Sequence, residues 1–209
     1  MSVMKKAVVA ASLFAATGIA SATAFSVTGS GFTAGSGYGR DASEARNVAT
    51  LLDVRFSTTG FTTQNFELNA VEDFQDFVVG RVNFQEPNTI QGILASETDN
   101  LDLSWTLDFS APGVLSNTVL ASGTAILGSV QDTAIDYRLA WDPIFVNFGK
   151  GGQYRIDLYE LAFSRASEQE LVARVTLTQA EVPEPASLGL LAIGLAGAGL
   201  LRRRLNQRA

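Results

Sequence analysis

The side chains able to do chemistry in this chain are mostly carboxylates. Three clusters stand out: Glu72-Asp73 with Asp76, Glu97 with Asp99 and Asp102, and Glu168 with Glu170. Two facing carboxylates can hydrolyse a glycoside without any histidine, and several oxygens around one tight loop can hold calcium. Glu97, Asp99 and Asp102 lie in a loop entering a strand and are the best calcium candidates of the three groups. They lack the Asp-x-Asp-x-Asp-Gly order of a dedicated calcium loop, so a solvated turn is the expectation and no metal or other cofactor is assigned. No spacing singles out a hydrolytic pair. The chain has no His and no Cys, which excludes Ser-His-Asp and Cys-His catalysis, thiolate or imidazole zinc sites, disulfides and a histidine switch. No catalytic residue is assigned, and the protein is read as a non-enzyme.

A second kind of chemistry would be the stacking of sugar rings on Trp105, Tyr137, Trp141, Tyr154 or Tyr159. Trp105 and Trp141 are in phase with aliphatic neighbours, so both are expected in the core. The glycine run Gly29, Gly31, Gly35, Gly37 and Gly39 contains no Lys for a phosphate loop and opens no βαβ unit. It reads as a flexible leader or a strand-loop.

The elements that would position these residues are strands. Leu101, Leu103, Trp105, Leu107 and Phe109 alternate with Asp102, Ser104, Thr106 and Asp108, a period of two that a helix cannot give. Leu171, Ala173, Val175 and Leu177 repeat the pattern. Ala134 to Trp141 places Ile135, Tyr137, Leu139 and Trp141 on one face. Tyr154 to Phe163 alternates with a slip between Leu158 and Tyr159, which predicts a bulge or bend. Thr50–Ser57, Thr62–Leu68 and Asp76–Phe84 are further strands, and Val114–Leu127 holds one or two more. Turns are expected at Gly60, Asn88, Pro112-Gly113, Gly128 and Gly151-Gly152. Asp41 to Val48 is the one helical hint in the body. Eight or nine short strands between turns predict an all-β, antiparallel β-sandwich or jelly-roll-like ectodomain over residues 25–181.

The two ends differ from this body. Nine basic residues face all 21 acidic ones between Phe25 and Glu184, a net charge of about −12 that repels phosphate backbones and argues against nucleic acid. Residues 1–24 read as a signal peptide with a helical apolar region. Lys5 and Lys6 precede the apolar Ala7–Ala20, and Ala22-Thr23-Ala24 offers signal peptidase a cut between Ala24 and Phe25. At the other end, Pro183, Glu184 and Pro185 interrupt any ladder and keep the chain extended. Ala186–Leu201 then predicts a short transmembrane helix of about 24 Å, marginal against a hydrocarbon core of about 30 Å. Arg202, Arg203 and Arg204 follow it as a stop cluster held on the cytoplasmic side, which leaves the acidic body outside.

Val182-Pro183-Glu184-Pro185, an apolar Gly/Ala/Leu helix and a terminal Arg cluster together resemble the PEP-CTERM sorting signal, here spanning residues 182–209. The resemblance implies processing by an exosortase, a membrane-embedded cysteine protease-transpeptidase of Gram-negative bacteria that make exopolysaccharide. In that reading Pro183, Glu184 and Pro185 are the recognition motif and Arg202 to Arg204 the stop cluster. The strand-like segments within Phe77–Thr178 also resemble the choice-of-anchor K family of exported bacterial domains, a likeness that transfers no functional residue.

The expected course is export, an inner-membrane precursor with a periplasmic ectodomain, and then the cell surface or extracellular space. Signal peptidase and exosortase are the expected processing partners, and extracellular polysaccharide an open one. A structural or adhesive surface or matrix protein, linked to exopolysaccharide or biofilm, leads the functional readings. A carbohydrate-binding module and a carboxylate-based hydrolase stay open beside it. Mass spectrometry of the exported protein should find its first residue at Phe25. A product that retains Met1 refutes the export reading.

Overall fold

The computed structural model describes residues 22–40, 50–87, 92–131 and 134–182. Of the signal segment only residues 22–24 are described, and of the sorting tail only Val182. The rest of both, with their expected helices, the helical hint at Asp41–Val48 and the turn expected at Asn88 lie outside the described residues. The described strands are β1 (Thr23–Ala34), β2 (Tyr38–Gly39), β3 (Leu52–Ser57), β4 (Gln64–Leu68), β5 (Phe74–Phe84) and β6 (Asp102–Ala111). They continue as β7 (Leu115–Ala125), β8 (Tyr137–Trp141), β9 (Ile144–Phe148), β10 (Gly152–Leu158), β11 (Leu161–Phe163) and β12 (Ser167–Gln179). One sheet runs β11-β8-β7-β6-β1-β4 and the other β2-β3-β5-β12-β10-β9. The fold is an all-β sandwich, antiparallel except where β2 pairs with β3 in parallel.

Alternation explains the two inner faces. In β6 and just before it, Leu101, Leu103, Trp105, Leu107 and Phe109 are all buried; in β12, Leu171, Ala173, Val175 and Leu177 are buried as well. Side chains of successive residues leave a strand on opposite sides, so these two rows face each other across the sandwich. Aromatic rings concentrate near its two poles. Tyr154 lies 5.3 Å from Phe25 and from Phe109 at one pole. Phe84, Tyr137 and Phe163 sit 5.7–5.8 Å apart at the other.

Trp105 fills the middle and ties the sheets together. Its indole N–H donates to the Ser30 hydroxyl on β1 at 2.8 Å, and that hydroxyl donates to the Val79 carbonyl on β5 at 2.7 Å. The carbonyl is available because β5 carries a bulge: Gly80 pairs with Leu171 and Val78 with Val172, so Val79 is the extra residue. Gly80 is required beside it. A Cβ there would lie 2.3 Å from the Trp105 ring and 2.6 Å from the Ser57 carbonyl.

Several expectations are corrected by this arrangement. The glycine run is no leader: Gly29 and Gly31 lie inside β1, which pairs with β6 and β4. The slip at Leu158/Tyr159 is a change of sheet, since β10 belongs to one sheet and β11 to the other. Tyr159 therefore faces solvent instead of joining Leu161 and Phe163 in the core. Ile135 precedes β8 and is exposed, because the backbone there runs in a loop until Tyr137. Val114–Leu127 yields one strand, β7, while β9 was hidden in a five-residue segment after Pro143.

Both ends of the described body leave from one pole. Phe25, early in β1, lies 6.2 Å from Phe148 at the end of β9. Val182 donates to the Lys150 carbonyl in the turn that follows Phe148. Replacing Leu107, fully buried, with Ala should cost about 2–5 kcal/mol in denaturant unfolding. Ser30→Ala, which removes the partner of the Trp105 N–H and of the Val79 carbonyl, should cost about 1–3 kcal/mol. A loss below about 0.5 kcal/mol for either, the range of surface changes, contradicts the packing described.

Candidate functional site

The outer face of the second sheet carries a concentrated set of exposed functional groups. Its residues are the ones out of phase with the buried rows. Asp76 on β5 sits directly opposite Arg174 on β12, and Arg174 in turn opposite Asp157 on β10. Arg174 holds Asp76 with two hydrogen bonds, Nε to Oδ1 and a terminal amine to Oδ2, both 2.8 Å. The guanidinium lies 3.8 Å above the centre of the Phe74 ring and 5.4 Å from that of Tyr159. Tyr159 donates its hydroxyl to Asp76 Oδ2 at 3.0 Å. One planar cation is thus clamped between a carboxylate and two rings, the geometry for which arginine is suited and lysine is not.

The charges here are set by these bonds. The Arg174 hydrogen bonds hold the Asp76 carboxyl below its ordinary range, against a smaller opposing effect of burial and with help from the Tyr159 hydroxyl. Asp76 in return raises Arg174. Tyr159 is pushed up by burial first and by the hydrogen bond to Asp76 second. Next along the face, Arg155 donates to Asp157 at 2.7 Å and sits opposite the exposed Phe145 of β9. Towards the other pole, Arg81 bridges Glu168 at 3.0 Å and Glu170 at 3.2 Å. Phe74, Phe145 and Tyr159 are the aromatic rings this face exposes, at 51%, 58% and 37%.

The five aromatics weighed as a sugar platform do not form one, and Trp105 and Trp141 pack in or against the core as expected. Trp105, Tyr137 and Tyr154 are fully buried, and Trp141 is partly buried, edge-on to Trp105 at 6.4 Å. Burial pushes the Tyr154 phenol up to about 12 and the Tyr38 phenol, which bonds Tyr137 at 2.8 Å, also to about 12. Of the five, Tyr159 is at the face just described. Phe74 and Phe145 join it, and neither was singled out by sequence. Their signal was parity: Phe74 is out of phase with the buried Phe77, and Phe145 with the buried Phe148.

The acidic clusters are likewise dispersed. Asp73 caps its own loop by accepting the Asn69 and Ala70 N–H groups at 2.9 Å. Glu168 and Glu170 serve Arg81. Glu97 is buried and accepts the Leu94 N–H at 2.6 Å, whereas Asp99 and Asp102 are exposed. Among the described residues no three His, Cys, Asp or Glu side chains come together in a group that could hold a metal. A groove of about 530 Å³ on the outer face of the first sheet holds Asp102 and Asp142 with Ser104, Ser122 and Leu120. Both carboxylates are solvent-exposed, whereas the acid of a glycosidase pair sits in an apolar pocket. Of the termini, Ala24 and Phe25 lie in β1, Ala24 paired with Glu67 and Phe25 buried against Phe66. Pro183, Glu184, Pro185 and Arg202, Arg203 and Arg204 lie outside the described residues.

A β-sandwich body followed at once by a Pro-Glu-Pro segment defines a class: an exported domain with a C-terminal sorting tail. Residues 181–204 match the family model of the PEP-CTERM protein-sorting motif. The chain thus carries the signal of an exosortase-processed, exported surface protein held transiently at the membrane. That match lies outside Phe77–Thr178 and lends no support to the choice-of-anchor K resemblance. No curated protein and no solved structure matches the chain.

The Asp76–Arg174 pair has a definite pH signature. A carboxyl lowered by folding contributes stability that is complete above its unfolded value and lost as pH falls through the folded one. Asp76→Asn should therefore destabilise the body by about 0.5–1 kcal/mol at pH 7, the scale of a half-exposed ion pair. The stabilities of variant and wild type should draw together as pH falls below the unfolded carboxyl value of about 3.9 and through the lowered folded one. A separation that stays the same from neutral pH down through that range refutes the pairing.

Proposed function

We propose that the body is an adhesive module of the cell surface or extracellular matrix, delivered by exosortase processing, and that it holds extracellular polysaccharide on the outer face of its second sheet. The observation that carries this reading is the Phe74–Arg174–Tyr159 stack with Asp76, extended by Arg155 and Phe145 along one open sheet. Exposed rings offer a sugar its apolar face to stack on. The fixed carboxylate and guanidinium beside them offer acceptors and donors to its hydroxyls, already oriented by their mutual bonds. Arg174 and Arg155 are both neutralised by neighbouring carboxylates and the body as a whole is acidic, so a neutral or basic polymer suits it better than a uronate-rich one. Binding, not hydrolysis, fits a face that is open and shelters no isolated acid. On this reading the ectodomain faces the periplasm before cleavage and the cell exterior afterwards.

A glycan array probed with the processed, released protein tests the reading. Expected are neutral or amino-sugar polymers among the ligands, and a loss of binding of tenfold or more, about 1.4 kcal/mol or above, for the double change Phe74→Ala and Tyr159→Ala in a body that still melts normally. Binding that survives the double change moves the ligand to another surface. No binding to any glycan removes the polysaccharide part and leaves a structural role.

A further inference from the structure

Glu181 and Val182 belong to two structures at once. In the folded body they are the last described residues, and both are tied down. Val182 donates its N–H to the Lys150 carbonyl at 3.0 Å, and Glu181 Oε1 accepts the Lys150 N–H at 3.1 Å. The chain that leaves β12 is thereby clasped to the turn between β9 and β10. Gly149, the first residue of that turn, has φ +46°, and a Cβ on it would lie 2.4 Å from the Glu181 carboxyl. A side chain at position 149 would be strained and would occupy the place of the carboxylate, so the turn is shaped to receive it.

The sorting motif begins at the same Glu181, and Pro183 follows the last clasped residue directly. No slack separates the folded body from the Pro-Glu-Pro segment while the clasp is closed. A protease binds its substrate as an extended strand whose main-chain groups pair with the cleft. The Val182 N–H and the Glu181 carboxylate cannot serve Lys150 and a protease cleft together.

We propose that the Glu181–Lys150 clasp is an autoinhibitory contact: it must open before an exosortase can seat Pro183–Pro185, so its stability sets the rate of processing. The proposal rests on the reading of residues 181–204 as an exosortase signal. Glu181 and Gly149 act here as positioning residues, through the accessibility of the motif.

The test is pulse–chase labelling of the full chain in a host that carries an exosortase, following the conversion of precursor to the shortened form. Glu181→Ala and Gly149→Ala should each speed conversion about three- to tenfold, the worth of one or two solvent-facing hydrogen bonds. A four-residue Gly-Ser insertion between Val182 and Pro183 should speed it as well, and in that background Gly149→Ala should add nothing. Gly149 lies outside the matched motif, so its effect cannot come from altered recognition of the sequence. Should Gly149→Ala disturb the body, as shown by a lowered melting temperature of the released protein, Glu181→Ala and the insertion still decide. Unchanged conversion in the two single variants overturns the clasp. Slower conversion in Glu181→Ala, with the insertion variant no faster than wild type, also overturns it and assigns Glu181 to direct reading by the protease. Absence of any shortening of the wild-type chain in that host instead overturns the exosortase reading, and the proposal with it.

Discussion

The sandwich is organised around one buried hydrogen-bonded relay, from the Trp105 indole through the Ser30 hydroxyl to the Val79 carbonyl. A fully buried indole N–H without an acceptor, or a bulge carbonyl without a donor, would each cost on the order of 1–3 kcal/mol. Here the two potential orphans satisfy each other through a single serine. The relay fixes how the sheets face one another, because β1 and β6 lie in one and β5 in the other. It also explains two local features together: the bulge at Val79 frees the carbonyl on which the relay ends, and the glycine at position 80 makes room for the ring.

From that fixed middle, the outer face of the second sheet follows by register alone. The bulge sets which residues of β5 lie opposite which residues of β12 below it, and so brings Asp76 to Arg174 and Phe74 to Thr176. A slip of one residue would turn all of these side chains inward. The exposed Arg–carboxylate–aromatic cluster is therefore a product of core packing.

What could be read in the sequence was whatever depended on period and on local residue type. The five alternating apolar residues from Leu101 to Phe109 were legible because one strand decides them, and all five are buried. The Pro-Glu-Pro segment was legible because its signal is contiguous. β1 was not, since its glycines and serines carry little apolar contrast; it is strand because β6 and β4 pair with it on either side. The change of sheet at Tyr159 looked like a bulge because sequence shows a phase slip without showing where the next strand goes. The site itself was half legible. Asp76 and Tyr159 were noticed for their chemistry, but their meeting with Arg174, 98 positions beyond Asp76, is a fact of register that no local pattern contains.

The exit of β12 at the pole it shares with the start of β1 also has a mechanical meaning. Any pull applied at Val182 enters β12, a strand of 13 residues that lies between β5 and β10 and is hydrogen-bonded to both. The load then runs along the strand, parallel to its axis and across many inter-strand bonds. It shears two ladders at once instead of peeling bonds away singly. Shear of this kind divides a force among all the bonds of the ladder, whereas peeling concentrates it on one. A tether that pulls on a strand bonded on both sides loads two ladders together, whereas one that pulls on an edge strand loads a single ladder.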